Sequence, residues 1–271
     1  YYKDAVDSGI ENLVILNAIN SIYSDGSRPD QSSEDIYTAW EAYVNYVTNA
    51  YKGEVTYYEI INEPNERISD YSVYADYMKR AKTIISNNDF NAKTMGFSTA
   101  SLPWSWIKGV LGKIRSNPKA YLDVLTVHPY DFDYGDLKTS VPGLEWCIRI
   151  RDSKYRSNVD TLKTYMSGYG ASSVPVQSTE MGITSTPGVC SLRAQAAELL
   201  QTYTITAAQG KIDKTWWYCL ENTSARGSDD AVENDTEGNF GLVGNKADTV
   251  PMAAKPSYAA LCGYNKMLTG A

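Results

Sequence analysis

Six short apolar runs, each passing through a loop into a stretch of helical period, constrain what this 271-residue chain can fold into more than any other feature. The runs are Asn12–Ile19, Val55–Ile61, Thr94–Thr99, Asp123–Tyr130, Val174–Glu180 and Thr215–Leu220, and they carry the β-branched and aromatic residues that suit a pleated surface. Between them lie helical patterns: Glu34–Tyr51, with Ile36, Trp40, Tyr43, Val44 and Val47 on one face, and Tyr71–Ser86, with Tyr74, Met78, Ala81 and Ile85. Further helices are read over Pro103–Arg115, 154–167, Leu192–Gln209 with Gly210 as its cap, and Ala253–Leu268, after a helix end in residues 1–9 stopped by Gly9. Strands that alternate with helices pair in parallel and are covered on their outer face. Asn12–Ile19, almost unbroken in its apolar character, reads as a strand buried on both faces. Six strands are two fewer than a closed barrel of this kind requires. An open doubly wound sheet meets the same periodicity, so pattern alone leaves both architectures standing.

Two of the strands end on a glutamate. Tyr57–Ile61 runs through Asn62 and Glu63 to Pro64, whose ring nitrogen cannot donate to a ladder, so the strand is expected to stop there. Val174–Thr179 runs into Glu180, with Gly182 and loop-forming residues after it. Parallel α/β folds keep their chemistry at the carboxyl ends of strands. A pair of carboxyls remote in sequence suits glycosidic cleavage, one staying protonated to donate to the leaving oxygen and the other ionised to attack the sugar carbon or activate water. For either glutamate alone, a solvent-facing loop carboxylate is the plain alternative.

Asn62-Glu63-Pro64 at one strand end and Thr179-Glu180-Met181-Gly182 at a later one resemble the paired signatures of the clan A glycoside hydrolases, retaining enzymes on (β/α)8 TIM-type barrels. The resemblance implies that Glu63 is the acid/base, that Asn62 hydrogen-bonds the sugar's 2-hydroxyl, and that Glu180 is the nucleophile. It extends to His128-Pro129-Tyr130, similar to the sixth strand of these families, where the tyrosine contacts the nucleophile. Glu237–Leu242 and Lys255-Pro256-Ser257-Tyr258 look like the last loop and last helix of the β-xylosidase-like branch, family 39. On this match the first visible strand is the barrel's third. Two β/α units are then absent before Tyr1, either by truncation or because another segment or chain supplies them, and sugar-binding residues would be absent with them.

Composition narrows the partners. A net charge of −7 without clustered Lys and Arg argues against nucleic acid. No run of 18 apolar residues occurs to span a membrane. The chain starts at Tyr1 without a methionine or a signal peptide, as a processed or trimmed one does. Cys147, Cys190, Cys219 and Cys262 form no Cys-x-x-Cys pair, and with His128 the only histidine neither a structural zinc site of the usual kind nor a multi-histidine site fits. Neither metal nor cofactor is therefore expected. Buried free thiols are the default for Cys219 and Cys262, with a Cys147–Cys190 disulfide as the alternative.

His128 reads either as a satisfied strand-end residue or as one that shapes the nucleophile's surroundings, and Tyr130 as the group that holds Glu180 in its ionised form or as core packing. Trp217, in a stretch similar to the family's Trp-Tyr-x-Leu, is expected beneath the sugar, with core packing as its alternative; Trp104, Trp106 and Trp146 are further candidate platforms. Most of the 22 tyrosines belong to core or rim, and the aperiodic stretch Asp131–Ser153 is expected to contact substrate. The expectation is thus one catalytic barrel domain over residues 1–271, truncated at its amino end. It would cleave β-glycosidic bonds of a plant or microbial glycan by double displacement, acting outside the cell or at its surface on an oligo- or polysaccharide. The rival reading is a barrel fragment that binds carbohydrate without cutting it.

Overall fold

The computed structural model describes residues 2–18, 33–130, 152–187, 189–223 and 236–269. The polar stretch 24–32 and most of the stretch 131–153, with Trp146 and Cys147, lie outside the described residues. The chain forms two compact units, residues 1–129 with 159–179 and residues 130–158 with 180–271.

In the first unit α1 (Tyr2–Asp7) precedes β1 (Leu13–Leu16), α2 (Glu34–Ala50), β2 (Tyr57–Ile60), α3 (Tyr71–Asn88), β3 (Lys93–Ala100), α4 (Trp104–Ile114) and β4 (Val124–His128). Asp70 caps α3 by accepting from the Ser72 amide at 2.7 Å, and the expected stripe of Tyr74, Met78, Ala81 and Ile85 is buried. On α2 the buried face turns by a fraction of a turn from the expected one. Tyr37 joins Trp40, Val44 and Val47 inside, where its ring meets the edge of Tyr77, while Tyr43 is left 39% exposed. β1 departs further from expectation. It runs only from Leu13 to Leu16, and Ile15 is 40% exposed, because β2 pairs with it along one edge and it lies at the end of the strand order.

The strands pair in parallel from β1 to β2, β2 to β3, β3 to β4, and β4 to the start of β5 (Val176–Met181), which follows α5 (Asp152–Gly168). The full order, β1-β2-β3-β4-β5-β6, follows the chain without a reversal. A doubly wound sheet reverses at its switch point, so sequential order excludes that alternative and leaves the (β/α)8-barrel type with six β/α units present. Tyrosines carry much of the core, with Tyr58, Tyr74 and Tyr77 among its largest fully buried side chains.

The second unit holds the end of β5, α6 (Leu192–Gln209), β6 (Lys214–Trp217) and α7 (Pro256–Thr269). Ser191 caps α6 through the Ala194 amide, and Gly210 closes it at φ +62° as expected of a left-handed C-cap. β6 stops at Trp217, short of the expected Leu220, which is 60% exposed. Gly182 is obligatory for packing: a Cβ there would fall on the carbonyl oxygen of Tyr218. A polar knot lies beneath, where the buried Lys255 ammonium donates to Ser185 Oγ (2.9 Å), Asn222 Oδ1 (2.7 Å) and the Asn239 carbonyl (3.1 Å). Cys190, Cys219 and Cys262 are free thiols, and Cys147, the other half of the alternative disulfide, lies outside the described residues; Cys262 is exposed and not in the expected core.

Candidate active site

Glu63 does not sit on a regular strand. β2 ends at Ile60, earlier than the proline alone predicts, because Ile61 (φ +63°) and Glu63 (φ +48°) adopt the left-handed region before Pro64 opens a 3-10 turn over Pro64–Glu66. Across from them β3 carries a matching irregularity, with Phe97 at φ +90°, Ser98 at +30°, and a register shift between Gly96 and Thr99. Left-handed conformations of residues other than glycine cost about 1–3 kcal/mol each, so surrounding bonds must hold them. They are present. The Glu63 amide donates to the Ser98 carbonyl (3.1 Å), the Ser98 hydroxyl to the Ile61 carbonyl (2.8 Å), and Tyr74 Oη bridges the Ile60 carbonyl (3.0 Å) and the Phe97 amide (2.8 Å). Burial pushes the Tyr74 phenol far up, so it remains a neutral donor.

The Glu63 carboxylate keeps 30% of its side chain exposed and meets His128, only 1% exposed, with Nδ1 3.1 Å from Oε1. The partner His128 shows here is Glu63, one that the sequence pattern did not assign to it. Asn62 lies beside Glu63, its amide donating to Asn17 Oδ1 at 3.0 Å. Its own Oδ1 is among the buried polar atoms without a protein partner in the described residues, and such an atom calls for an explanation.

In the second unit Glu180 is still part of β5, in extended backbone, and its Oε1 accepts from the Tyr130 hydroxyl at 2.8 Å. The following Met181 carbonyl accepts the Tyr218 amide at 2.9 Å, tying the strand end to the residue after β6. Burial pushes the Cys219 thiol up to about 11, partly countered by the Lys255 ammonium and reinforced by the Glu180 charge. Trp217 is half-buried against Ile183, Cys190 and Ala194, and its Nε1 finds no protein partner among the described residues. Trp106 is not a sugar platform: it is 6% exposed, donates to the Ile68 carbonyl at 2.9 Å and packs on Phe97 and Tyr74. Trp104 stands edge-on to Tyr165 at 5.7 Å. Ser98, Tyr74 and Asn17, which hold the Glu63 segment, carry no sequence signal of their own, because a hydroxyl or amide serving a distant backbone has no local period.

The chain-ordered parallel strands define a class of fold, the (β/α)-barrel type, and solved structures of glycoside hydrolases match that fold. One is a family 39 glycoside hydrolase from the gut symbiont Bacteroides cellulosilyticus WH2, at TM-score 0.70 and 20% identity over 96% of this chain and 51% of that one. A monomeric β-xylosidase from Caulobacter crescentus CB15 matches at 0.67 and 17%, over 97% of this chain and 55% of its own. Xylanase 10B from Thermotoga maritima matches at 0.62 and 13%, over 100% and 79%. The chain thus spans about half the length of the first of these structures. No protein-family model and no curated protein sequence matches it.

Proposed function

We propose that the chain belongs to a retaining glycoside hydrolase, with Glu63 as acid/base and Glu180 as nucleophile within one catalytic barrel domain. The observation that carries this reading is that each glutamate lies at the carboxyl end of a parallel strand with its carboxylate held by a buried or half-buried partner, His128 for one and Tyr130 for the other. Glu180 attacks the anomeric carbon, forming a glycosyl ester as the bond to the leaving oxygen breaks, and Glu63 delivers its proton to that oxygen. Water then gives its proton to Glu63 and opens the ester, so configuration is kept. Asn62 Oδ1, buried and without a protein partner among the described residues, is a fitting acceptor for a sugar hydroxyl, and Trp217 a fitting apolar wall.

The substrate is a β-linked glycan, and a polymer of that size is met outside the cell or at its surface. No helix among the described residues is long and apolar enough to cross a membrane. The test is incubation of the intact protein with aryl β-glycosides and β-linked polysaccharides, following the anomer first released. A 2-fluoro glycoside that labels Glu180 supports double displacement. First release of the inverted anomer, with no labelled peptide, rejects it; binding of a glycan without turnover by the wild type leaves the non-catalytic carbohydrate binder.

A further inference from the structure

If Glu63 transfers the proton, its direction is set by backbone that a β-ladder does not supply. The two left-handed residues that turn it out of β2, Ile61 and Glu63, bracket Asn62, and each is fastened to the same residue of the neighbouring strand. We propose that Ser98 is the positioning residue for the Glu63 carboxyl, an inference that rests on Glu63 being the acid/base. Ser98 is fully buried. Its carbonyl takes the Glu63 amide at 3.1 Å, its hydroxyl caps the Ile61 carbonyl at 2.8 Å, and its amide donates to Thr126 Oγ1 at 3.0 Å.

Thr126 in turn donates to the Gly96 carbonyl at 3.1 Å and sits two residues before His128 on β4. Ser98 therefore links the segment that carries the carboxylate to the strand that carries its histidine partner. A second fastening lies on the far side of Glu63, where Asn65 Oδ1 accepts the Ala100 amide at 2.9 Å. Of the two, only the Ser98 hydroxyl acts ahead of Glu63 in the chain. Without it, the buried Ile61 carbonyl loses its bond, and the left-handed turn that aims the carboxyl loses its restraint.

The experiment compares wild type, Ser98→Ala, Ser98→Gly and Glu63→Gln in the intact protein. The probes are aryl glycosides with leaving groups from 2,4-dinitrophenol to phenol, on the sugar that the wild type hydrolyses fastest. Alanine removes the hydroxyl and keeps the demand of φ +30°; glycine removes the hydroxyl and takes that φ freely, so it folds where alanine fails. A dinitrophenolate leaves without a proton, so misplacing the acid spares the glycosylation step on that substrate, the step that kcat/KM reads. Both Ser98 variants are expected to lose about 10–100-fold in kcat/KM on the phenyl glycoside, with kcat/KM on the dinitrophenyl glycoside held within about threefold. Glu63→Gln is expected to show the same split more strongly. A loss equal across the series, or no loss, in the Ser98 variants beside a split in Glu63→Gln overturns the positioning role. A Glu63→Gln protein without the split, or a wild type inactive on every probe, overturns the acid/base reading on which it stands.

Discussion

The two candidate carboxylates are placed by opposite means. Glu180 is carried by strand geometry: it is still extended in β5, and its carboxylate accepts from the Tyr130 hydroxyl. Glu63 has left its strand, through two left-handed residues held by Ser98 and Tyr74, and meets a buried histidine. A group placed by a regular ladder tolerates change in its neighbours, because the backbone conformation is the resting one. A group placed by a costly turn depends on each bond that holds the turn. The contrast also suits the assigned roles, since a nucleophile needs one fixed line of attack, whereas an acid/base serves two successive steps.

Mutation can break this comparison, beginning with Glu180. Glu180→Gln is expected to lower kcat on every aryl glycoside by on the order of 10⁴-fold or more while binding of a glycan, measured by calorimetry, persists. Retained turnover on all substrates would remove Glu180 from the chemistry. Glu63→Gln is expected to cost about 10²–10⁴-fold in kcat/KM on poor leaving groups only, while kcat falls on good ones as well because the base of the second step is lost, which steady-state kinetics across the series would show.

Smaller effects sharpen the contrast. Tyr130→Phe deletes one bond to a carboxylate, a loss of about 1.5–3 kcal/mol, so kcat/KM is expected to fall roughly 10–100-fold equally for good and poor leaving groups. An effect confined to poor leaving groups would tie Tyr130 to the proton and not to Glu180. Gly182→Ala forces the β5 end away from Tyr218, and the expected loss of about 1–3 kcal/mol by denaturant melting should come with lower activity. An alanine protein of unchanged stability would show that the backbones can part freely.

The smallest effect concerns Cys190, whose thiol burial pushes up to about 12. Its folded value lies above the unfolded one, near 9, so the folded state keeps a proton that the unfolded state has lost. The stability it adds is whole below about pH 9 and drains away as pH climbs towards 12. Melting temperature is expected to hold to about pH 8.5 and fall above it, the fall being shallower in Cys190→Ala. With iodoacetamide at neutral pH, peptide mapping should find Cys262 alkylated and Cys190 spared until the protein unfolds. Equal slopes would show that other groups set the alkaline limit.

The barrel alternation was legible because its signals are periodic and repeated: the stripe of α3, the Gly210 cap and the alternating strands each answer to local sequence. The glutamates stood out because their strand-end context is local as well. What stayed hidden depends on tertiary company. Ile15 reads as core and lies 40% exposed at the end of the strand order, Tyr43 and Tyr37 exchange places on α2, and Trp106 is core although its ring alone suggests a platform. The early end of β2 was hidden for a sharper reason. Isoleucine and glutamate carry no mark of a left-handed backbone, which is imposed by hydroxyls 13 and 37 residues further along the chain from Ile61.

The Lys255 ammonium has one further consequence. Three stretches outside the named strands, around Ser185, Asn222 and Asn239, bond to one another and all meet this single cation just ahead of the final helix. The carboxyl-terminal segment thus works as a keystone: trimming the chain before residue 255 would slacken every one of those stretches together, including the one that begins five residues beyond Glu180.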